Sequence, residues 1–143
     1  MTSTRETALQ ALFAALATIS GPSVQRNTMV PVSVPAGGLL IVRDGEPGDP
    51  DITLSVVSYS YEHEAVVEAI VQHADAAARD AALDNLLGAL PVALNDTTLG
   101  GAVDYVEVRA PVVIAGEEVT GAPDLKGAVV PLVLYYTTSH PLQ

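Results

Sequence analysis

Residues 59–90 read YSYEHEAVVEAIVQHADAAARDAALDNLLGAL. The first half alternates. Tyr59, Tyr61, His63, Ala65, Val67, Ala69 and Val71 fall on one face, and Glu62, Glu64, Val66, Glu68, Ile70 and Gln72 on the other. Period two with β-branched and aromatic residues is the pattern of a strand. Near His73 the period changes, and Ala76, Leu83, Leu86, Leu87 and Leu90 follow helical spacing. A long strand feeding an amphipathic helix predicts an α+β fold with the helix laid over the sheet. The expected architecture is a single mixed or antiparallel sheet of about five strands. Two main helices, over 4–19 and 75–90, pack on one face, and a hairpin projects. Leu12, Phe13, Leu16, Val67, Leu83, Leu86, Val130 and Leu134 are the expected core.

The chain has 143 residues, which fits one domain over 1–143. It has no cysteine, so a disulfide framework and a thiolate metal site are excluded. No apolar run approaches the ~18 residues of a membrane span. Glu6 interrupts the N-terminal segment, which argues against a signal peptide. Seventeen acids against six bases give a formal charge of −11, and such a surface repels nucleic-acid phosphates.

Outward from the opening stretch, Ser3-x-x-Glu6 has the spacing of a capping box. Leu9, Leu12, Phe13 and Leu16 supply the first helix stripe, which Ser20-Gly21-Pro22 ends. The segment 24–34 is limited to edge pairing by Pro31 and Pro35. Leu39 to Val42 forms a short strand expected to pair with 52–58 as a hairpin, with the turn-rich 44–51 as its tip. Asp75 and Arg79 lie four apart at the start of the second helix. Gly88 and Pro91 suggest that this helix falters, with Pro91 starting a short second segment. NDTTLGG at 95–101 is a loop, and Val103 to Val108 a strand. Pro111 interrupts it before Val112-Val113-Ile114 and a turn at Ala115-Gly116. Another loop covers 121–124. Ala128 to Thr137 is apolar almost throughout, as in a central strand.

Chemistry is sparse. Asp44, Glu46, Asp49 and Asp51 place four carboxylates in eight residues. Their glycines stand at 45 and 48 and the twelfth position is Ser55, which is not the pattern of a calcium loop. His63 and the glutamates of the strand point to opposite faces and do not converge on a metal. The glutamates discourage stray edge pairing instead. No nucleophile elbow, phosphate loop or zinc-protease motif occurs. The expectation is no catalytic residue, no metal and no cofactor.

The order of parts resembles the tail terminator (tail-completion) proteins of long-tailed bacteriophages and related minor tail proteins of phage-like particles. The resemblance is carried by the helix over 4–19, VQRN at 24–27, the long strand over 61–72 and ARDAAL at 78–83. LNDTTLGGAVD at 94–104 and LYYTT at 134–138 complete it. It covers nearly the whole chain, and the ordered set carries it rather than any one motif. The acidic 44–51 segment has no counterpart in it.

The resemblance implies a virion protein, assembled in the host cytoplasm, that forms a homo-oligomeric ring, usually a hexamer, at the head-proximal end of the tail tube. Its partners would be the major tail tube protein and the head–tail connector, with DNA passing through the lumen unbound and no membrane involved. The acid excess then predicts a neutral or negative lumen. Arg26, Arg43, Asp44, Glu46, Asp49 and Asp51 are the candidate subunit contacts, the arginines pairing with a neighbour's carboxylates. A neck or head-closure protein is the nearest alternative, and a small ligand-binding α+β domain the alternative of another class.

Overall fold

The computed structural model describes residues 1–31, 33–114 and 124–143. In chain order these form α1 (Thr4–Ala17), β1 (Ser23–Arg26), β2 (Leu39–Glu46), β3 (Asp51–Thr53), β4 (Ser58–Gln72), α2 (Ala76–Ala93), β5 (Tyr105–Val108), β6 (Val112–Ile114) and β7 (Leu125–Thr138). The fold is α+β, with one mixed sheet of seven strands, more than the five expected. Its order is β1-β2-β4-β7-β5, with β3 on β4 and β6 on β7. Among the described residues only the β1–β2 pair is parallel.

The sheet is built on β4 and β7. They pair without a break from Tyr59↔Thr138 to Gln72↔Leu125. A one-residue slip would turn Val67, Val130 and Leu134 out of the core, so the apolar alternation holds this register. β7 is central as its sequence suggests, with β4 on one edge and β5 and β6 on the other.

Both helices lie on the face carrying Val67, Ala69, Val130 and Leu134. α1 buries Ala8, Leu9, Leu12 and Leu16, and α2 buries Leu83, Leu86 and Leu90. Phe13, expected in the core, is only half buried and packs on its margin. On the opposite face a smaller cluster joins Val34, Leu39, Ile41, Ile70 and Leu125. The Val34 N–H donates to Gln72 Oε1 at 2.9 Å, tying the 33–36 segment over that face.

Several local readings change. α1 ends at Ala17, and α2 continues through Pro91 to Ala93 instead of restarting there. A proline so near a helix end removes a single backbone bond, that to the Leu87 carbonyl. The capping box is half formed. Ser3 Oγ accepts from the Glu6 N–H at 3.1 Å, but the Glu6 carboxylate turns to Arg26. Asp75 caps α2 by accepting from the Ala78 N–H, and Arg79 donates to the His73 carbonyl. The Ala115-Gly116 turn and most of the 121–124 loop lie outside the described residues.

The largest correction concerns the hairpin. The 39–43 and 52–58 segments do not pair with each other. β2 and β3 both pair with β4, one after the other along the same edge. At 15 residues, β4 is about 50 Å long, which leaves room for both. The tight hairpin is therefore β3–β4, and its turn is Leu54-Ser55-Val56-Val57. Asp44 and Glu46 belong to β2 rather than to a hairpin tip.

Candidate functional site

Two regions of the β2–β3–β4 edge gather unusual chemistry. The first is a polar knot where β2 bends. Its register on β4 shifts between Arg43 and Glu46, and Gly45 in that bulge has φ +64°. A Cβ at Gly45 would lie 1.8 Å from the Glu64 carbonyl oxygen, so only glycine allows the strands to approach this closely. The bulge turns Asp44 toward α1. There Arg26 donates to both Asp44 carboxylate oxygens at 2.7 and 2.8 Å, and to both Glu6 oxygens at 2.7 and 2.8 Å. The paired guanidinium holds the carboxyls of Glu6 and Asp44 below their ordinary ranges.

The buried His63 of β4 completes the knot. One ring nitrogen, Nε2, meets the Asp44 backbone carbonyl, which can only accept, so this nitrogen carries the hydrogen. Nδ1 is then the acceptor of the Tyr136 O–H, at 2.8 Å. Burial lowers the imidazole pKa, and Arg5 adds to the effect, while the Asp44 carbonyl and the charges of Asp44 and Glu46 oppose it. Burial also pushes the Tyr136 phenol up to about 12. The knot is thus a neutral histidine between a tyrosine donor and a carbonyl, beside a three-member ion cluster. Among the described residues no buried side-chain nitrogen or oxygen lacks a partner. Such a saturated network braces the bend of β2 against α1 and β4.

The second region is the β3–β4 tip. All of β3 is exposed. Ile52, Leu54, Val56 and Val57 retain 55, 79, 81 and 49 % of their accessible surface. Beside them Glu46, Asp49, Asp51, Glu62 and Glu64 line an open acidic depression of about 380 Å³.

The candidate contact residues therefore divide. Arg26 and Asp44 are engaged within the knot, and Arg43 donates to Glu68 at 3.1 Å on the opposite sheet face. Glu46 lies beside the bulge, opposite Glu64, and Asp51 opens β3, opposite Ser60; with Asp49 they line the acidic depression. Among the described residues no group of three histidine or carboxylate side chains is arranged to hold a metal ion. Nor does any helix there have the length and apolarity to cross a membrane.

On the far edge of the sheet, the end of α2 stands away from β5. Leu87, Leu90, Leu94, Val106, Val108 and Pro111 line most of an apolar groove of about 490 Å³. The NDTTLGG loop forms one end of it. There Asp96 accepts from Thr98 N–H, Thr98 Oγ1–H and Gly100 N–H, and the Val106 N–H donates to the Thr97 carbonyl. The loop is a capped turn that anchors β5. Leu99, at φ +50°, tucks inward.

No protein-family model and no curated protein matches this chain. Sequence reasoning missed the exposure of Ile52, Leu54 and Val56, whose alternation looked like an ordinary strand. It also missed the His63–Tyr136 bond, although a lone histidine among alternating apolar residues was a visible signal for a buried, hydrogen-bonded imidazole.

Proposed function

We propose that this chain is a structural phage tail protein that forms a ring at the head-proximal end of a tail tube. In this reading it stops tube polymerisation and offers the surface on which the head connector joins. The observation that carries the reading is the ordered resemblance along nearly the whole chain, from the first helix through LNDTTLGGAVD to LYYTT. The α+β architecture with both helices on one face supports it. So does the use of the polar residues, which are spent on bracing the sheet rather than left convergent in a cleft. The role is non-catalytic and needs no cofactor. The tube protein, the connector and further copies of the chain are its partners, and the virion is its location. DNA passes the lumen without being gripped, as the charge of −11 favours.

Deleting the chain from its phage or phage-like particle and imaging the particles tests this. Tails of uncontrolled length that fail to join heads are the expected result. Normal-length, head-joined tails would exclude it. Tails of normal length beside heads that leak DNA would point instead to a neck protein.

A further inference from the structure

We propose that His63 works as a pH-operated latch, whose protonation releases the turn over residues 139–143 from its seat on Tyr61 and Tyr136. The device does not depend on the tail role proposed above. It rests on the direction of one hydrogen-bond chain. The Asp44 carbonyl fixes a hydrogen on Nε2, and Nδ1 accepts the Tyr136 O–H. Among the described residues the Tyr136 hydroxyl has no other partner, and both side chains are buried. A second proton on the imidazole must therefore sit on Nδ1. Tyr136 Oη then has to accept, and its own hydrogen loses its acceptor. A buried O–H without an acceptor, beside a buried cation, is a costly state. The charged and titratable groups around the ring are Arg5 and Glu6 of α1, Asp44 and Glu46 of β2, Tyr61 of its own strand and Tyr136 of β7. Arg26 of β1 stands behind Glu6 and Asp44. Two arginines thus oppose three carboxylates, and burial outweighs them in keeping the ring neutral.

The strain is relieved most cheaply at the turn. Tyr61 and Tyr136 meet Arg5, Pro47 and residues 141–143 around a cavity of only about 10 Å³. A water able to take the displaced hydrogen needs at least about 10–15 Å³, so it enters freely only when the turn lifts. The turn is built to lift as a unit. The Thr138 O–H and the Gln143 N–H donate to the His140 carbonyl at 2.8 and 3.1 Å, and the Leu142 N–H donates to His140 Nδ1 at 3.1 Å. Residues 139–143 are all exposed. Beyond the β7 stem, the described residues give the turn a single hydrogen bond to the rest of the fold, from the Tyr61 O–H to the Pro141 carbonyl, long at 3.3 Å. Opening it breaks that one bond. Opening the other side of the ring would break the bidentate pairs of Arg26 with Glu6 and Asp44. The proton therefore enters at a strong brace and is felt at a weak strap.

The absence of cysteine lets one nitroxide report on the turn. Leu142→Cys carries it, at a side chain 77 % exposed. In spin-label spectra the ratio of mobile to immobile label should rise by up to about tenfold for each pH unit below about 6.5. The ring signal of His63 in NMR should titrate with the same midpoint. The amides of Val67 and Val130 should stay protected from exchange throughout, which distinguishes local release from unfolding. His63→Gln should hold the label immobile from pH 7 to pH 5. His140→Asn keeps an acceptor for the Leu142 N–H but cannot titrate, and it should leave the transition in place. Should His63→Gln not fold, the shared midpoint of ring and label in the otherwise unaltered chain decides. A label that stays immobile down to pH 5 would overturn the proposal. So would release that persists in folded His63→Gln, that disappears in His140→Asn, that has a midpoint different from the His63 ring, or that comes only with loss of protection at Val67 and Val130.

Discussion

The polar knot and the apolar tip are neighbours on the same edge of β4, yet they invert the usual assignment of residues. The knot places Arg26, Glu6, Asp44 and His63 in mutual contact, with the histidine fully inside. The tip places Ile52, Leu54, Val56 and Val57 in solvent. The knot is closed, because its polar groups have partners within the chain. The tip is open, because its apolar groups have none. Composition alone does not say which region is complete within the chain. Satisfaction does: the knot is complete, and the apolar hairpin is not.

The contrast breaks most severely at Gly45. Gly45→Ala forces a Cβ against the Glu64 carbonyl at a left-handed φ. It should cost about 3 kcal/mol or more in a denaturant melt. A loss under about 1 kcal/mol would show that the bulge is not what sets the knot. Tyr136→Phe removes the donor to His63 Nδ1 and should cost about 1–2 kcal/mol, measurable by the same melt. Arg26→Met leaves Glu6 and Asp44 facing each other without their shared cation. Since all three side chains are partly exposed, the expected loss is smaller, about 1 kcal/mol.

The knot should also be visible in pH dependence. The buried imidazole has a folded pKa below its unfolded value near 6.5. The unfolded chain therefore binds the proton first, and stability should fall as pH drops below about 6.5. His63→Gln should flatten that part of the curve. The carboxyls of Glu6 and Asp44 are depressed, so their contribution is present above the ordinary carboxylate range and is lost as pH falls from that range down through their lowered folded values. Arg26→Met should weaken this acid step. A wild-type melting temperature that is level between pH 7 and pH 5 would contradict the histidine assignment. The smallest effect belongs to the tip, where Leu54→Ser should change stability by less than about 0.5 kcal/mol.

Much of the fold was legible because it is local or strongly periodic. The alternation of 59–72 and the helical spacing that follows located β4 and α2. The apolar run of 128–137 identified β7 as central. Glu62 and Glu64 do lie on the exposed face of β4 and His63 on the buried one. The edge of the sheet was not legible. Two short segments, 39–43 and 52–58, look alike as hairpin partners. Nothing in their residues reveals that β4 is long enough to take both in succession. The knot was hidden for the same reason. Asp44, His63 and Tyr136 meet only through pairings between distant strands, whereas the Asp96 turn, with its partners within four residues, was readable directly. Arg26 and Asp44, expected to contact a neighbouring subunit, are engaged with each other and with Glu6 in the same chain.

The central claim is that this edge separates internal bracing from an exposed apolar surface that braces nothing. It is tested most directly by measuring thermal melting on two variants side by side, Arg26→Met in the knot and Leu54→Asp with Val56→Asp at the tip. The account predicts that the knot variant melts earlier than wild type while the tip variant melts with it. The crossed result, a tip variant that unfolds early beside a knot variant that melts like wild type, would contradict it.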